Sequence, residues 1–137
     1  MTKWQAPGGL GSTLSALLRP RPDLALARRI ALHPREELFT SAITVGELVY
    51  GAAKAALPNL RIKVELLLDS LPAVSFDEAS AITYGERRAV LERFGRTVAE
   101  PDLRIASIAL TYDMTVVSAN RRHFKMIEGL RQENWLG

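Results

Sequence analysis

Glu47 sits in a stretch that is otherwise small and apolar, SAITVGELVYGAA at 41–53. A carboxylate in such company costs stability unless a cation or a hydrogen-bond donor meets it. A second acid, Asp102, follows a helix-opening proline in EPDLRIASIAL at 100–110, and Ser118 and Asn120 close the β-branched run TVVSAN at 115–120. Carboxylates with small polar neighbours can hold a hard divalent cation and its water. Such an ion makes hydroxide near neutral pH and neutralises charge growing on a phosphoryl oxygen. The chemistry these residue types suggest is phosphodiester hydrolysis.

Each residue taken alone has a plainer explanation. Thr44-Val45-Gly46-Glu47 fits a capping box in which Glu47 reaches back to the amide of Thr44. Asp102 complements a helix dipole, an effect of roughly 0.3–1 kcal/mol. Ser118 and Asn120 could cap the short helix that follows. Taken together the residues say more. Two carboxylates converging in a partly dry cleft repel, and one protonates unless a cation sits between them.

Convergence depends on the elements that carry them. The spacing predicts helices over 13–19 and 22–32, broken by Pro20 and Pro22, and over 44–56, 59–70 and 100–113. Asp77 is expected to cap a long helix that Gly95 ends. Strands are expected at 37–43, 72–76 and 114–119, a turn of helix at 120–124, and a last edge strand at 130–136. Alternation of this kind predicts an α/β fold, three layers with a central parallel sheet. The first turns of the crossover helices then gather at the carboxyl edge of the sheet, where ligands bind. Glu47, Asp102, Ser118 and Asn120 all fall on that edge.

Composition narrows the alternatives. A chain of 137 residues, 47% apolar and 24% charged, has room for one globular domain. It has no cysteine, which excludes disulfides, thiolate zinc sites and cysteine nucleophiles. The two histidines, His33 and His123, are too far apart in sequence to suggest an imidazole metal site. No apolar run approaches the ~20 residues of a membrane span. MTKWQAPGGLGS at 1–12 has no apolar core like that of a secretory signal, so a reducing cytoplasm is expected. The net charge of +3 is carried mostly by arginine, which suits a polyanionic partner.

TLSALLRP (13–20), TSAITVGELVYGAAKA (40–55), EPDLRIASIAL, TVVSANRRHF (115–124) and GLRQENWL (129–136) together resemble the PIN-domain family, and within it the VapC-like toxins of toxin–antitoxin pairs. The resemblance implies a PIN-like α/β/α fold with four or five parallel strands. It also implies a Mg²⁺- or Mn²⁺-dependent endoribonuclease that acts on RNA, is silenced by a cognate antitoxin and is often a homodimer. Glu47 matches the acid of the family's ExxxG motif and Asp102 that of its PDxxIAA motif, the implied metal ligands. Ser118 and Asn120 match the polar pair after the fourth strand, which helps position metal or water. Arg104 and Arg121 are weaker candidates for contact with substrate phosphate.

One departure is serious. The family opens with LLDTNxLSALL, whereas LSALL at 14–18 is preceded here by MTKWQAPGGLGST, with no acid before Asp23. The first metal-binding aspartate would fall at Leu10 or Gly11. Pro7-Gly8-Gly9 is poor material for a central strand, so residues 1–12 are expected to be irregular, with a degraded first strand, and 13–137 to form the PIN-like domain. Three explanations stay open: a misassigned start, a degenerate toxin that binds its antitoxin without cutting, or a substitute ligand such as Ser12. Function divides accordingly between a metal-dependent nuclease and an inactive module that binds antitoxin or RNA.

Overall fold

The computed structural model describes residues 3–5, 14–19, 21–118, 122 and 124–135. Five strands form one sheet: β1 (Lys3–Gln5), β2 (Leu38–Ser41), β3 (Ala73–Val74), β4 (Met114–Val117) and β5 (Gln132–Glu133). Their order is β3-β2-β1-β4-β5, and every pairing is parallel. Five α-helices cover it: α1 (Leu24–Ala31), α2 (Ala42–Ala55), α3 (Pro58–Ser70), α4 (Glu78–Arg93) and α5 (Glu100–Thr111). The α/β expectation holds, and the last strand lies at an edge as expected.

β4 shows why the sheet has two covered faces. All four of its residues are buried, as a central parallel strand requires. Met114 and Val116 join the core beneath α4 and α5, with Leu91, Leu103, Ile105 and Ile108. Val117 points the other way, into the core with Leu26, Leu48 and Val64 from α1, α2 and α3. A side-chain period of two divides one strand between two cores.

The centre of the sheet holds a finding about the amino terminus. β1 pairs with both neighbours, Trp4 opposite Leu38 and Thr115, Gln5 opposite Phe39 and Val116. The strand is short, three residues, but Lys3–Gln5 supply it, ahead of Pro7-Gly8-Gly9. Part of the segment expected to be irregular thus belongs to the sheet. The expected helix at 13–19 is a 3-10 turn, Leu14–Leu17, anchored by the fully buried Leu14.

Local signals set the other boundaries. The Asp77 carboxylate accepts from the Ser80 amide and starts α4. Gly95, at φ +66°, follows its last turn in the left-handed region that glycine enters without strain. Trp135 is buried beside β5, stacked on His33 at 4.7 Å, with the Arg29 guanidinium 5.2 Å from its ring centroid. It anchors the edge strand to α1. Most of the turn expected at 120–124 lies outside the described residues.

Gly85 is exposed inside α4, and a Cβ added there meets nothing within 4 Å. Gly85→Ala should therefore stabilise the protein by about 0.5–1 kcal/mol, through the lower entropy of the unfolded chain. A shift of the urea midpoint to higher concentration, with unchanged slope, is the expected reading.

Candidate active site

Because every strand runs the same way, Ser41, Val74, Val117 and Glu133 end at one edge of the sheet. The chain turns directly from β2 into α2 at that edge. Ser41 Oγ accepts from the Thr44 amide at 3.2 Å and donates to Thr44 Oγ1 at 3.1 Å, with both residues fully buried. The cap is therefore Ser41, three residues before the expected one, and α2 begins at Ala42. Removing it as Ser41→Ala should cost about 1–2 kcal/mol, read as a lower melting temperature, because this cap sets the start of the helix that carries Glu47.

This start corrects two expectations. Glu47 lies in the second turn of α2 rather than the first, and it is not the distal member of a capping box. Ser41 already accepts from the Thr44 amide, and the Glu47 carboxylate accepts no hydrogen bond among the described residues. The side chain is half-buried instead. Burial pushes its pKa up, and the negative charge of Asp102 raises it further. No cation among the described residues lowers it.

Asp102 sits in the first turn of α5, and it too is half-buried. α2 packs against α5, which brings residues 55 positions apart in sequence within each other's field. Glu47 and Asp102 are thus near enough for the charge of one to act on the carboxyl of the other. Ser118 is 5% exposed at the same edge, directly after β4, and its amide donates to the Glu133 carbonyl at 2.8 Å. Asn120 and Arg121 lie outside the described residues, as do Leu10, Gly11 and Ser12.

Arg104 is engaged nearby. Its guanidinium is 3.4 Å from Glu100 and lies over the rings of Phe76 and Tyr84 at 5.8 and 5.7 Å. Glu100 also accepts from the Tyr84 hydroxyl at 2.6 Å and pairs with Arg88 at 3.3 Å. The Tyr84 hydrogen bond is foremost in holding its carboxyl below the usual range, and Arg88 and Arg104 add to this. The sequence carried a signal for this cluster in the four-residue spacing of Glu100 and Arg104.

The donor chemistry suits a hard divalent cation. Two carboxylates raise one another's proton affinity when no charge lies between them, and a dication reverses that. The set is nevertheless small. Among the described residues no group of three or more His, Asp or Glu is placed to hold a metal.

Comparison with known proteins gives the family and the fold. The family model described as PIN domain matches residues 11–130. This chain belongs to the PIN-domain family. Among curated PIN relatives, Ribonuclease VapC2 of Haemophilus influenzae is 36% identical over 101 residues, 73% of this chain and 76% of the relative. The tRNA(fMet)-specific endonuclease VapC of Shigella flexneri is 36% identical over 72% of this chain and 76% of its own. The PIN fold recurs in DNA-bound VapBC from Salmonella typhimurium, with a TM-score of 0.86, 31% identity and coverage of 98% and 99%. VapBC2 of Rickettsia felis bound to a promoter DNA fragment superposes with a TM-score of 0.85 at 28% identity, again covering 98% and 99%. PIN nucleases of the VapC kind depend on a divalent metal. Among the described residues, no helix is long and apolar enough to cross a membrane.

Proposed function

We propose that this chain is a metal-dependent endoribonuclease of the VapC toxin type, held silent by a cognate antitoxin. The observation that carries the reading is the charge of Asp102 felt at Glu47 across two packed helices. The VapC ribonuclease relatives and the VapBC complexes support it. An antitoxin partner, an RNA substrate, a homodimeric state and a cytoplasmic setting follow from the same reading.

Glu47 and Asp102 would hold the cation, Mg²⁺ or Mn²⁺. When bound, such an ion supplies hydroxide from water and neutralises charge on the scissile phosphoryl group. Ser118, buried after β4, and Asn120 orient the attacking water. Half-burial of the two acids keeps the dielectric low, so their charges act more strongly than on an open surface. Arg121 and Arg104 are candidates for phosphate contact, Arg104 only if it leaves Glu100.

A second reading has its own support. With no three-acid group among the described residues, the site is one carboxylate short of a closed set, and a PIN module that binds antitoxin or RNA without cutting would look the same. One assay separates the two. Structured RNAs are incubated with the purified chain, with Mn²⁺ or with EDTA, beside Asp102→Asn. Cleavage that needs Mn²⁺ and disappears in the variant upholds the nuclease. Identical traces in every lane leave the binding module.

A further inference from the structure

The helix that carries Asp102 starts differently from most of the others. Asp23, Ser41 and Asp77 cap α1, α2 and α4, each accepting from an amide three residues on. Among the described residues no side chain caps α3 or α5, and each has a proline in its first turn instead. Of these two, only α5 has acids in that turn, Glu100 and Asp102. Helix ends fray, so an uncapped first turn is poor support for a metal-binding carboxylate unless something else holds it.

Glu100 is held. The Tyr84 hydroxyl lies 2.7 and 2.6 Å from its two carboxylate oxygens and donates to it. The guanidinium groups of Arg88 and Arg104 approach the same carboxylate at 3.3 and 3.4 Å. Arg88 also donates to the Tyr84 hydroxyl at 3.0 Å and to Glu92 at 3.1 Å, and the half-buried Tyr84 ring meets Phe76 edge to face at 5.9 Å. A single exposed ion pair adds little. Here donors from α4 and α5 meet on one carboxylate, and the phenol bond to it is charge-assisted. Two positions apart on a helix, side chains project about 200° apart. Glu100 reaches α4, so Asp102 faces away from α4, and α2 packs on α5 as well.

We propose that Tyr84 and Glu100 are positioning residues: their hydrogen bond, braced by Arg88 and Arg104, fixes the first turn of α5 and keeps the Asp102 carboxylate within reach of Glu47. The inference rests on the nuclease reading and adds to it two residues that act through Asp102. The tether does for α5 what Ser41 does for α2, from a neighbouring helix rather than from the residue before the first turn. Both acids of the site then stand on helix starts that are tied down. A cation with strict ligand geometry needs both.

The first test needs no metal. In EDTA, Glu47→Gln raises the melting temperature by relieving its burial and the repulsion of Asp102, and that rise should shrink in Tyr84→Phe and Glu100→Ala backgrounds. A network that only stabilises the fold would leave the rise unchanged, since independent sites add. The second test is titration calorimetry with Mn²⁺. Tyr84→Phe and Glu100→Ala should each weaken binding about tenfold. Glu100→Gln should weaken it far less, because its amide oxygen still accepts from Tyr84. RNA cleavage should lose kcat with KM unchanged in the two damaging variants. An unchanged rise together with wild-type Mn²⁺ affinity overturns the proposal. So does Glu100→Gln binding Mn²⁺ as weakly as Glu100→Ala, which would mean that Glu100 acts by charge rather than by position. A wild type that binds no Mn²⁺ and cuts no RNA overturns the nuclease reading instead, and the metal-free melting series still decides whether the tether places Asp102.

Discussion

Glu47→Gln should lower metal-dependent RNA cleavage by more than about a hundredfold and, in EDTA, raise the melting temperature. The loss follows from the ligand count among the described residues. Even outer-shell partners of a bound metal cost about ten- to a hundredfold when removed, and Glu47 is one of the two acids described at this centre. The gain has a separate cause. In the metal-free protein Glu47 bears burial and the repulsion of Asp102, and glutamine keeps the shape without the charge. Mn²⁺ should stabilise the wild type by binding the folded state alone, and the variant far less. Calorimetry of both proteins in EDTA and in Mn²⁺ reads all of this. A variant that melts lower in EDTA would show that the carboxylate is favourably placed without metal.

The same site has a pH signature. A carboxylate whose folded pKa is raised binds its proton more readily in the native state than in the unfolded chain. Its penalty is fully present above the folded pKa and is relieved as pH falls from there towards the ordinary glutamate range. Metal-free wild type should therefore gain stability relative to Glu47→Gln on acidification through that window. The difference between the two proteins shrinks as the pH drops, and Mn²⁺, which competes with the proton for the same oxygens, reverses the dependence.

Placing an aspartate at Leu10 or Gly11 should raise cleavage by about one to three orders of magnitude. Mg²⁺ demands near-ideal octahedral geometry, and two carboxylates leave most of its positions to water. β1 ends at Gln5, level with Val116 and on the same edge as Ser41 and Val117. Leu10→Asp and Gly11→Asp, each compared with the unaltered chain for RNA cleavage in Mn²⁺, separate a disabled toxin from a complete enzyme. Equal rates in all three proteins would mean that the missing carboxylate is not what limits this site.

Legibility along the chain followed the range of the interactions. Asp77, Gly95, Pro58 and Pro101 act on amides within one turn, and the elements they bound lie where the sequence puts them. The start of α2 was misplaced because Ser41 and Thr44 both suit a cap. The choice went to Ser41, where the ladder with Val74 ends and the buried hydroxyl meets the Thr44 amide. That choice moves Glu47 from the first turn to the second. β1 was illegible for a different reason. Three residues have no periodicity to read, and Lys3–Gln5 become a central strand only because β2 and β4 leave a gap between them.

The chain's own order of residues determined which groups are available: two acids in helix-forming stretches, a serine after a buried strand, no cysteine and no acid before Asp23. It also determined the alternation that makes a parallel sheet. Only the tertiary structure decided that α2 and α5 pack together, so that the charge at 102 reaches the carboxyl at 47. It decided as well that Arg104 turns to Glu100. Local propensities act over a few residues, whereas the electrostatics of a site depend on distances through space that only the packed chain sets.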